Sequence, residues 1–309
     1  MSLLSLVAAL LLEQWRPLAD RRYLYALLAR YATFLEGLFN TGETRQGAIA
    51  WVIAVLPVVL GAWLVYTAAY GAHPLLALVL NVAALYLTMG FRQRSHYFTA
   101  IHLALKDNDL VKARDILSAW RKVSCADLDR EAITRLAIEE ALVSSHRYVF
   151  AVVFWFVLLP GPTGAILYRL SMFLNGRWGE KTSPELERFS RFARRAFAAL
   201  DWLPVRFTAA AFAVVGDFED AVYCWRTQAA DWPDPALGIV LASGAGAIGV
   251  RLGMPILAGS SRRTPGAGPR RPGRYWPLGQ HGRLGLARAG GVAACIAADR
   301  ACRRIDLAA

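Results

Sequence analysis

Residues 146–174 form a long apolar segment that is interrupted in its middle by Pro160, Gly161 and Pro162. A run of this length resembles a membrane span. A span that contains proline and glycine must have its lost backbone hydrogen bonds replaced by neighbouring helices, side chains or water, and such broken helices often line binding sites. An ordinary kinked helical hairpin has the same pattern. The segment therefore predicts either a broken, re-entrant span over 148–174 or a kinked hairpin.

The rest of the chain also has the composition of a membrane protein, since 56% of its residues are hydrophobic and its mean hydropathy is +0.34. The clearest predicted transmembrane helix covers residues 48–70, which include no charged residue, and Pro57 is expected to kink it. A short neutral loop leads to a second predicted span over 74–90. We therefore predict an all-α, polytopic membrane protein with a transmembrane hairpin, a broken span and cytoplasmic amphipathic helices.

The distribution of arginine predicts the orientation of the hairpin. Basic residues flank its two outer ends and are missing from its tip, so the N-terminus and residues 91–147 are expected in the cytoplasm of a bacterium, with the chain in the inner membrane. Amphipathic helices are predicted over 20–44, within 91–147 and over 182–203. The last one is basic, is expected to lie on the membrane surface and is expected to end at Leu203–Pro204. The lipid bilayer is thus a predicted partner.

The net charge of +12 is concentrated at the C-terminal end of the chain. Residues 251–309 include 11 Arg and two Asp, which gives a net charge of +9, so the predicted helical domain over 1–250 is nearly balanced. Such a balance does not favour nucleic acid as a partner. The Arg/Gly/Pro-rich tail has no helical period and is predicted to be disordered, or to come from GC-rich DNA translated out of frame. The four cysteines form no CxxC pair, and no metal site is predicted.

A charged helix is predicted immediately before the broken span. Glu131, Arg135 and Glu139 are spaced by four and share one helix face, and Glu140 is adjacent to them. The group is either a solvated ladder of ion pairs or a carboxylate–arginine site for a phosphate or a divalent ion. The Gly/Ala-rich run over 236–250 has no phosphate-loop pattern, so we do not expect it to bind a nucleotide.

Two segments, LLPGPTGAILYRL and LDWLPVRFTAAAFAVVGDFEDA, resemble the AmpE/CobD (CbiB) family of bacterial integral membrane proteins. The resemblance covers roughly residues 1–250. One branch of that family, CobD/CbiB, is adenosylcobinamide-phosphate synthase, which joins an aminopropanol-type amine to a carboxylate of adenosylcobyric acid with ATP. The other branch, AmpE, is a membrane signalling modulator linked to β-lactamase regulation.

The resemblance implies a set of site residues. Arg135, Glu139, Tyr168, Asp201 and Arg206 match positions of the synthase pattern, whereas Leu142-Val143-Ser144 stands where that pattern has Ala-Glu-Asn. The candidate catalytic residues are Glu139 and Asp201, and the candidate ligand-binding residues are Arg135, Glu140, His146, Arg147, Tyr168, Arg169 and Arg206. Asp201 and Arg206 flank Pro204 and are expected to face each other across a turn.

These residues give three functional hypotheses. An arginine-rich site suits an anion better than Mg²⁺, and the synthase needs carboxylates for its Mg-ATP. We therefore predict an AmpE-like regulatory protein of the inner membrane that binds an anionic small molecule or a nucleotide at its cytoplasmic face. The alternative is an adenosylcobinamide-phosphate synthase-like enzyme of cobalamin biosynthesis, with Mg-ATP as its cofactor. A transporter is the third hypothesis, although the sequence shows no inverted repeat.

Overall fold

The computed structural model describes residues 2–15, 22–39, 43–179, 184–250 and 252. Within these ranges the chain forms twelve α-helices, a π-helical turn and a 3₁₀ turn, and it forms no β-strand. The α-helices are α1 (Ser2–Trp15), α2 (Arg22–Phe39), α3 (Thr44–Ala72), α4 (Pro74–Thr88), α5 (Phe91–Lys106), α6 (Leu110–Arg121), α7 (Arg130–Ser145), α8 (Ala151–Leu158), α9 (Thr163–Gly179), α10 (Pro184–Val215), α11 (Phe218–Gln228) and α12 (Pro235–Ile248). The predicted all-α class is confirmed.

Three helical stretches of the described chain are long and apolar enough to cross a membrane: Thr44–Ala72, Arg130–Leu158 and Glu187–Val215. The first is the predicted span over 48–70. Helix α4, at the predicted span over 74–90, is apolar but has 15 residues, or about 22 Å at 1.5 Å per residue, so it is shorter than a hydrocarbon core. The second stretch joins α7 to α8, so no helix boundary lies at residue 147.

Proline occurs inside two of the three long helices without ending either of them. In α3, Pro57 has no N–H to offer the carbonyl of Ile53, four residues earlier. The Tyr31 hydroxyl donates to that carbonyl at 3.1 Å. A side chain from α2 thus replaces the missing backbone donor, as membrane helices that contain proline require.

The same replacement keeps α10 continuous through Pro204. The carbonyl of Leu200 lies four residues before this proline, and the indole N–H of Trp155 donates to it at 3.2 Å. The predicted helix end at Leu203–Pro204 is therefore wrong, and the predicted surface helix over 182–203 is part of a helix that runs to Val215. Residues 182 and 183, at the predicted beginning of that helix, lie outside the described residues.

The described chain divides into two compact units. The first comprises residues 1–94 and 144–208, and the second comprises residues 95–143 together with the chain from residue 209. In the first unit, buried side chains of α1, α4, α8, α9 and α10 pack into one hydrophobic cluster, and those of α2, α3, α9 and α10 pack into another. The predicted tail over 251–309 lies outside the described residues, apart from Leu252.

The predicted break in the apolar segment is present in the first unit. Helix α8 ends at Leu158, α9 begins at Thr163, and the Thr163 hydroxyl donates to the carbonyl of Pro160 at 2.7 Å. The two helices then approach very closely, because a Cβ on Gly164 would lie 1.9 Å from the carbonyl oxygen of Trp155. Only glycine allows this contact. The chain therefore folds back on itself as a tight helical hairpin.

The second unit has its own core, built from buried side chains of α5, α6 and α7. Asp109 caps α6 by accepting from the Lys112 amide at 3.0 Å. The Gly/Ala-rich run is helix α12 rather than a loop, and a Cβ on Gly246 would lie 2.4 Å from the Asp220 carbonyl oxygen. Gly246 therefore permits close packing between α11 and α12.

Candidate active site

A single π-helical turn, His146–Phe150, interrupts the helix that runs from Arg130 to Leu158. The Ala151 amide donates to the carbonyl of His146, five residues earlier, instead of to a carbonyl four residues earlier. Such turns add one residue to the helix and occur frequently at functional sites. Here the turn lies at the start of the helical hairpin and places His146 in the interior of the first unit.

A buried hydrogen-bond network surrounds His146. Its Nε2 lies 3.0 Å from Oδ1 of Asp201, and its Nδ1 lies 2.8 Å from the hydroxyl of Thr208. The Tyr168 hydroxyl donates to the same Asp201 oxygen at 2.9 Å. All four residues are buried, and Asp201 is 2% exposed. The hairpin arms supply His146 and Tyr168, whereas Asp201 and Thr208 come from one face of α10, where they are seven residues apart.

The network has the chemistry of a positioned acid–base group. With Asp201 ionised, Nε2–H of His146 donates to it, and Nδ1 then accepts from the Thr208 hydroxyl. A carboxylate that orients an imidazole in this way recurs in sites that transfer protons. Both ring nitrogens are occupied, so His146 and Tyr168 hold the Asp201 carboxylate in one orientation.

Arginine side chains gather beside this network in the first unit. Arg169, which is 8% exposed, donates to the Tyr25 hydroxyl at 2.7 Å, and its guanidinium carbon lies 4.5 Å from the centre of the Tyr148 ring. Arg94 lies at the same distance from that ring and donates to its hydroxyl at 2.7 Å. The Nε of Arg147 is buried, and no atom in the described parts of the chain is its hydrogen-bond partner.

The structure therefore brings together His146, Tyr168 and Asp201, and it places Arg147 and Arg169 close enough to Tyr168 to act on it electrostatically. Sequence reasoning missed four residues of this region: Tyr25, Arg94, Tyr148 and Thr208. Thr208 could have been found from its spacing to Asp201 if α10 had been extended past Pro204. The other three contact residues remote in sequence, which no local pattern indicates.

The prediction that Asp201 and Arg206 face each other is wrong. The helix continues through this region, and residues five positions apart in an α-helix point in directions about 140° apart. Arg206 instead donates to the carbonyl of Trp202 at 2.7 Å, and its guanidinium carbon lies 3.9 Å from the centre of the Trp202 ring. It therefore contacts its own helix and is no part of the buried network.

The remaining predicted site residues, Arg135, Glu139 and Glu140, lie on α7 in the second unit. Arg135 forms an ion pair with Glu131 at 3.1 Å, which is the i,i+4 contact of the ladder hypothesis. The catalytic role of Glu139 and the ligand-binding roles of Arg135 and Glu140 stay predictions. In the described parts of the chain, no three His, Cys, Asp or Glu side chains are grouped so that they could hold a metal ion.

Comparison with known proteins identifies relatives of the whole helical region. The family described as CobD/Cbib protein matches residues 6–270. The chain is 36% identical over 254 residues to the cobalamin biosynthesis protein CobD of Stutzerimonas stutzeri (strain A1501), covering 81% of this chain and 82% of that protein. It is also 36% identical over 261 residues to the cobalamin biosynthesis protein CobD of Chromobacterium violaceum, covering 82% of this chain and 81% of that protein. No solved structure matches the chain.

Proposed function

The chain belongs to the CobD/CbiB family, and from this membership we propose that it is an adenosylcobinamide-phosphate synthase-like enzyme of cobalamin biosynthesis. The observation that carries the proposal is the 36% identity, over more than 80% of both chains, to two relatives named for cobalamin biosynthesis. These names favour the enzymatic alternative over the AmpE-like regulatory function that the sequence ranked first. The proposed reaction joins an aminopropanol-type amine to a carboxylate of a corrin.

Amide formation from a carboxylate needs activation, which ATP would supply as a phosphoryl donor. The guanidinium groups of Arg94, Arg147 and Arg169 suit the phosphates of such a donor, because the described residues provide none of them with an acidic partner. The fit to Mg²⁺ is poorer. Asp201 is already bonded to His146 and Tyr168, and the described residues hold no metal-ligand group of three. The proposal therefore assigns no step to Mg²⁺.

The role that we propose for Asp201 is to bind and deprotonate the incoming amine. An ammonium ion is no nucleophile, so it must lose a proton, here to Asp201, before its nitrogen attacks the phosphorylated carboxyl carbon and phosphate leaves. His146 and Tyr168 fix the Asp201 carboxylate through Oδ1, and Thr208 fixes the imidazole from its other side. His146, Tyr168 and Thr208 are therefore positioning residues in this proposal, and the predicted role of Glu139 is left for mutation to decide.

The test is complementation of a bacterial strain that lacks the synthase. We expect the wild-type chain to restore cobalamin-dependent growth, and Asp201→Asn, which keeps the side-chain volume, to lower the rate of amide formation at least about 100-fold. Arg188→Gln, on an exposed face of α10, serves as the matched control and should behave as wild type. Failure of the wild-type chain to complement, with its presence in the membrane confirmed, would remove the proposal in favour of a regulatory function.

We also propose that the chain is a protein of the bacterial inner membrane whose N-terminus and residues 91–147 face the cytoplasm. The distribution of arginine around the predicted hairpin supports this orientation. The candidate span Arg130–Leu158 overlaps the end of that segment, so the experiment concentrates on its beginning. A reporter enzyme that is active only in the periplasm, fused after Asn108, should be inactive, whereas the same reporter in an active state would reverse the orientation.

A further inference from the structure

Two arginines of the first unit, Arg94 and Arg169, contact the Tyr148 ring, and Arg147 precedes Tyr148 in the sequence. None of the three forms an ion pair with a described carboxylate. Asp201, the acidic residue of the adjoining network, bonds to His146 instead. Such a concentration of positive charge has no counterion in the described part of the chain. Arg169 is 8% exposed, and burying a charge that has no ionic partner is costly, so this residue in particular favours a bound anion.

The geometry brings two of these charges close together. The guanidinium carbons of Arg94 and Arg169 each lie 4.5 Å from the centre of the Tyr148 ring, so they are no more than 9 Å apart. Each has one hydrogen bond to a phenol, Arg94 to Tyr148 and Arg169 to Tyr25. A guanidinium carries five N–H donors, so both arginines retain donors for an anion.

The third arginine provides an independent sign of a missing ligand. The Nε of Arg147 is buried and has no hydrogen-bond partner among the described residues, whereas most buried donors in proteins have one. Arg147 directly follows His146 in the sequence and Arg169 directly follows Tyr168, so both lie near the buried network. Arg94, Arg147 and Tyr148 are only partly buried, which leaves the cluster accessible.

We propose that Arg94, Arg147 and Arg169 form a phosphate-binding site beside the Asp201 network. Three guanidinium groups without acidic partners suit a dianionic group, and the planar fork of arginine matches phosphate oxygens in pairs. The proposal rests on the proposed function for its preferred source of the phosphate, which is a phosphorylated substrate or ATP. A phospholipid headgroup has the same chemistry, and the experiment separates the two sources.

The experiment measures thermal unfolding of the purified full-length chain in detergent, with sodium phosphate compared with sodium chloride at matched ionic strength. Phosphate should stabilise the wild type and the exposed-arginine control Arg188→Gln. Arg94→Gln and Arg169→Gln should each weaken the apparent phosphate affinity at least about tenfold. Arg169→Lys keeps the charge but not the fork and should give a smaller loss, which keeps the test usable if Arg169→Gln does not fold.

Two further arms identify the source of the phosphate. ATP in the presence of a chelator should stabilise the wild type if the site serves a soluble substrate. If the site holds a lipid headgroup, the chain should unfold at a higher temperature in lipid nanodiscs with phosphatidic acid than in nanodiscs without it, and ATP should have no effect. The phosphate site is then confirmed with a lipid as its ligand.

The proposal is overturned if Arg94→Gln and Arg169→Gln keep the wild-type response, or if neither phosphate, ATP nor phosphatidic acid stabilises the wild type. The binding measurement needs no catalytic turnover, so its result does not depend on whether the chain complements the mutant strain. A chain that binds phosphate through these arginines but does not complement would remove the proposed function alone.

Discussion

Two ion pairs in the described part of the chain differ in their surroundings. One lies on α7 and the other at the helical hairpin. On α7, Arg135 pairs with Glu131, whose side chain is 62% exposed. At the hairpin, Asp201 pairs with His146, and their side chains are 4% and 0% exposed. Exposed pairs contribute little because water and salt screen them, whereas removing one partner of a buried pair leaves the other without solvation.

This difference in burial indicates which of the two groups is the better candidate for a functional site. The α7 pair joins residues four apart in one helix and needs nothing from the rest of the fold. The network around His146 needs the π-helical turn, the folded hairpin and the continuity of α10 to be formed at all. Burying polar side chains is costly, so a buried network that depends on several elements of the fold favours a role in chemistry.

The largest effect is expected for Asp201→Ala. This change leaves His146 and Tyr168 buried without their shared acceptor, and it should lower the free energy of unfolding by about 3–5 kcal/mol. Thermal unfolding of the detergent-solubilised chain, followed by tryptophan fluorescence, measures the loss. Asp217→Ala, which removes an exposed cap of α11, is the control and should cost about 1 kcal/mol. Equal losses at the two positions would contradict the contrast between the groups.

A smaller effect is expected for Thr208→Val, which keeps the side-chain shape and removes the hydroxyl beside His146 Nδ1. Because the site is fully buried, leaving that nitrogen without a partner should cost about 1–3 kcal/mol. Thr67→Val is the matched control, since the Thr67 hydroxyl bonds locally to the Leu64 carbonyl at an exposed position on α3. Thermal unfolding of the two variants under the same conditions compares their losses of stability. Identical unfolding curves would show that burial of the network does not increase the contribution of the Thr208 hydroxyl to stability.

The features that local chemistry determines could be predicted from the sequence. The uncharged run over 48–70 had to be a long helix, because only a helix satisfies its backbone within an apolar environment. The break at Pro160–Pro162 followed from the missing N–H groups and the freedom of glycine. The inclusion of His146, Tyr168 and Asp201 in a site followed from their positions beside these features and from the family resemblance.

The features that depend on remote residues could not be predicted. Pro204 is a helix end by local chemistry, and it is tolerated here because Trp155, 49 residues earlier in the chain, donates to the carbonyl that the proline leaves free. Thr208 was not predicted as a member of the site for the same reason, since it lies beyond the expected helix end. Arg94 meets Tyr148 across 54 residues, a pairing that no spacing within one helix indicates.

The smallest effect is expected for Arg135→Ala on α7. Because the Glu131 side chain is 62% exposed, the ion pair itself should contribute about 0.3–0.5 kcal/mol to the free energy of unfolding, and less in high salt. A double-mutant cycle with Glu131→Ala, measured by thermal unfolding at low and high ionic strength, isolates this term. If Arg135→Ala instead abolished amide formation while stability stayed within that range, Arg135 would act on a substrate, and α7 would carry a function that its exposed ion pair alone does not indicate.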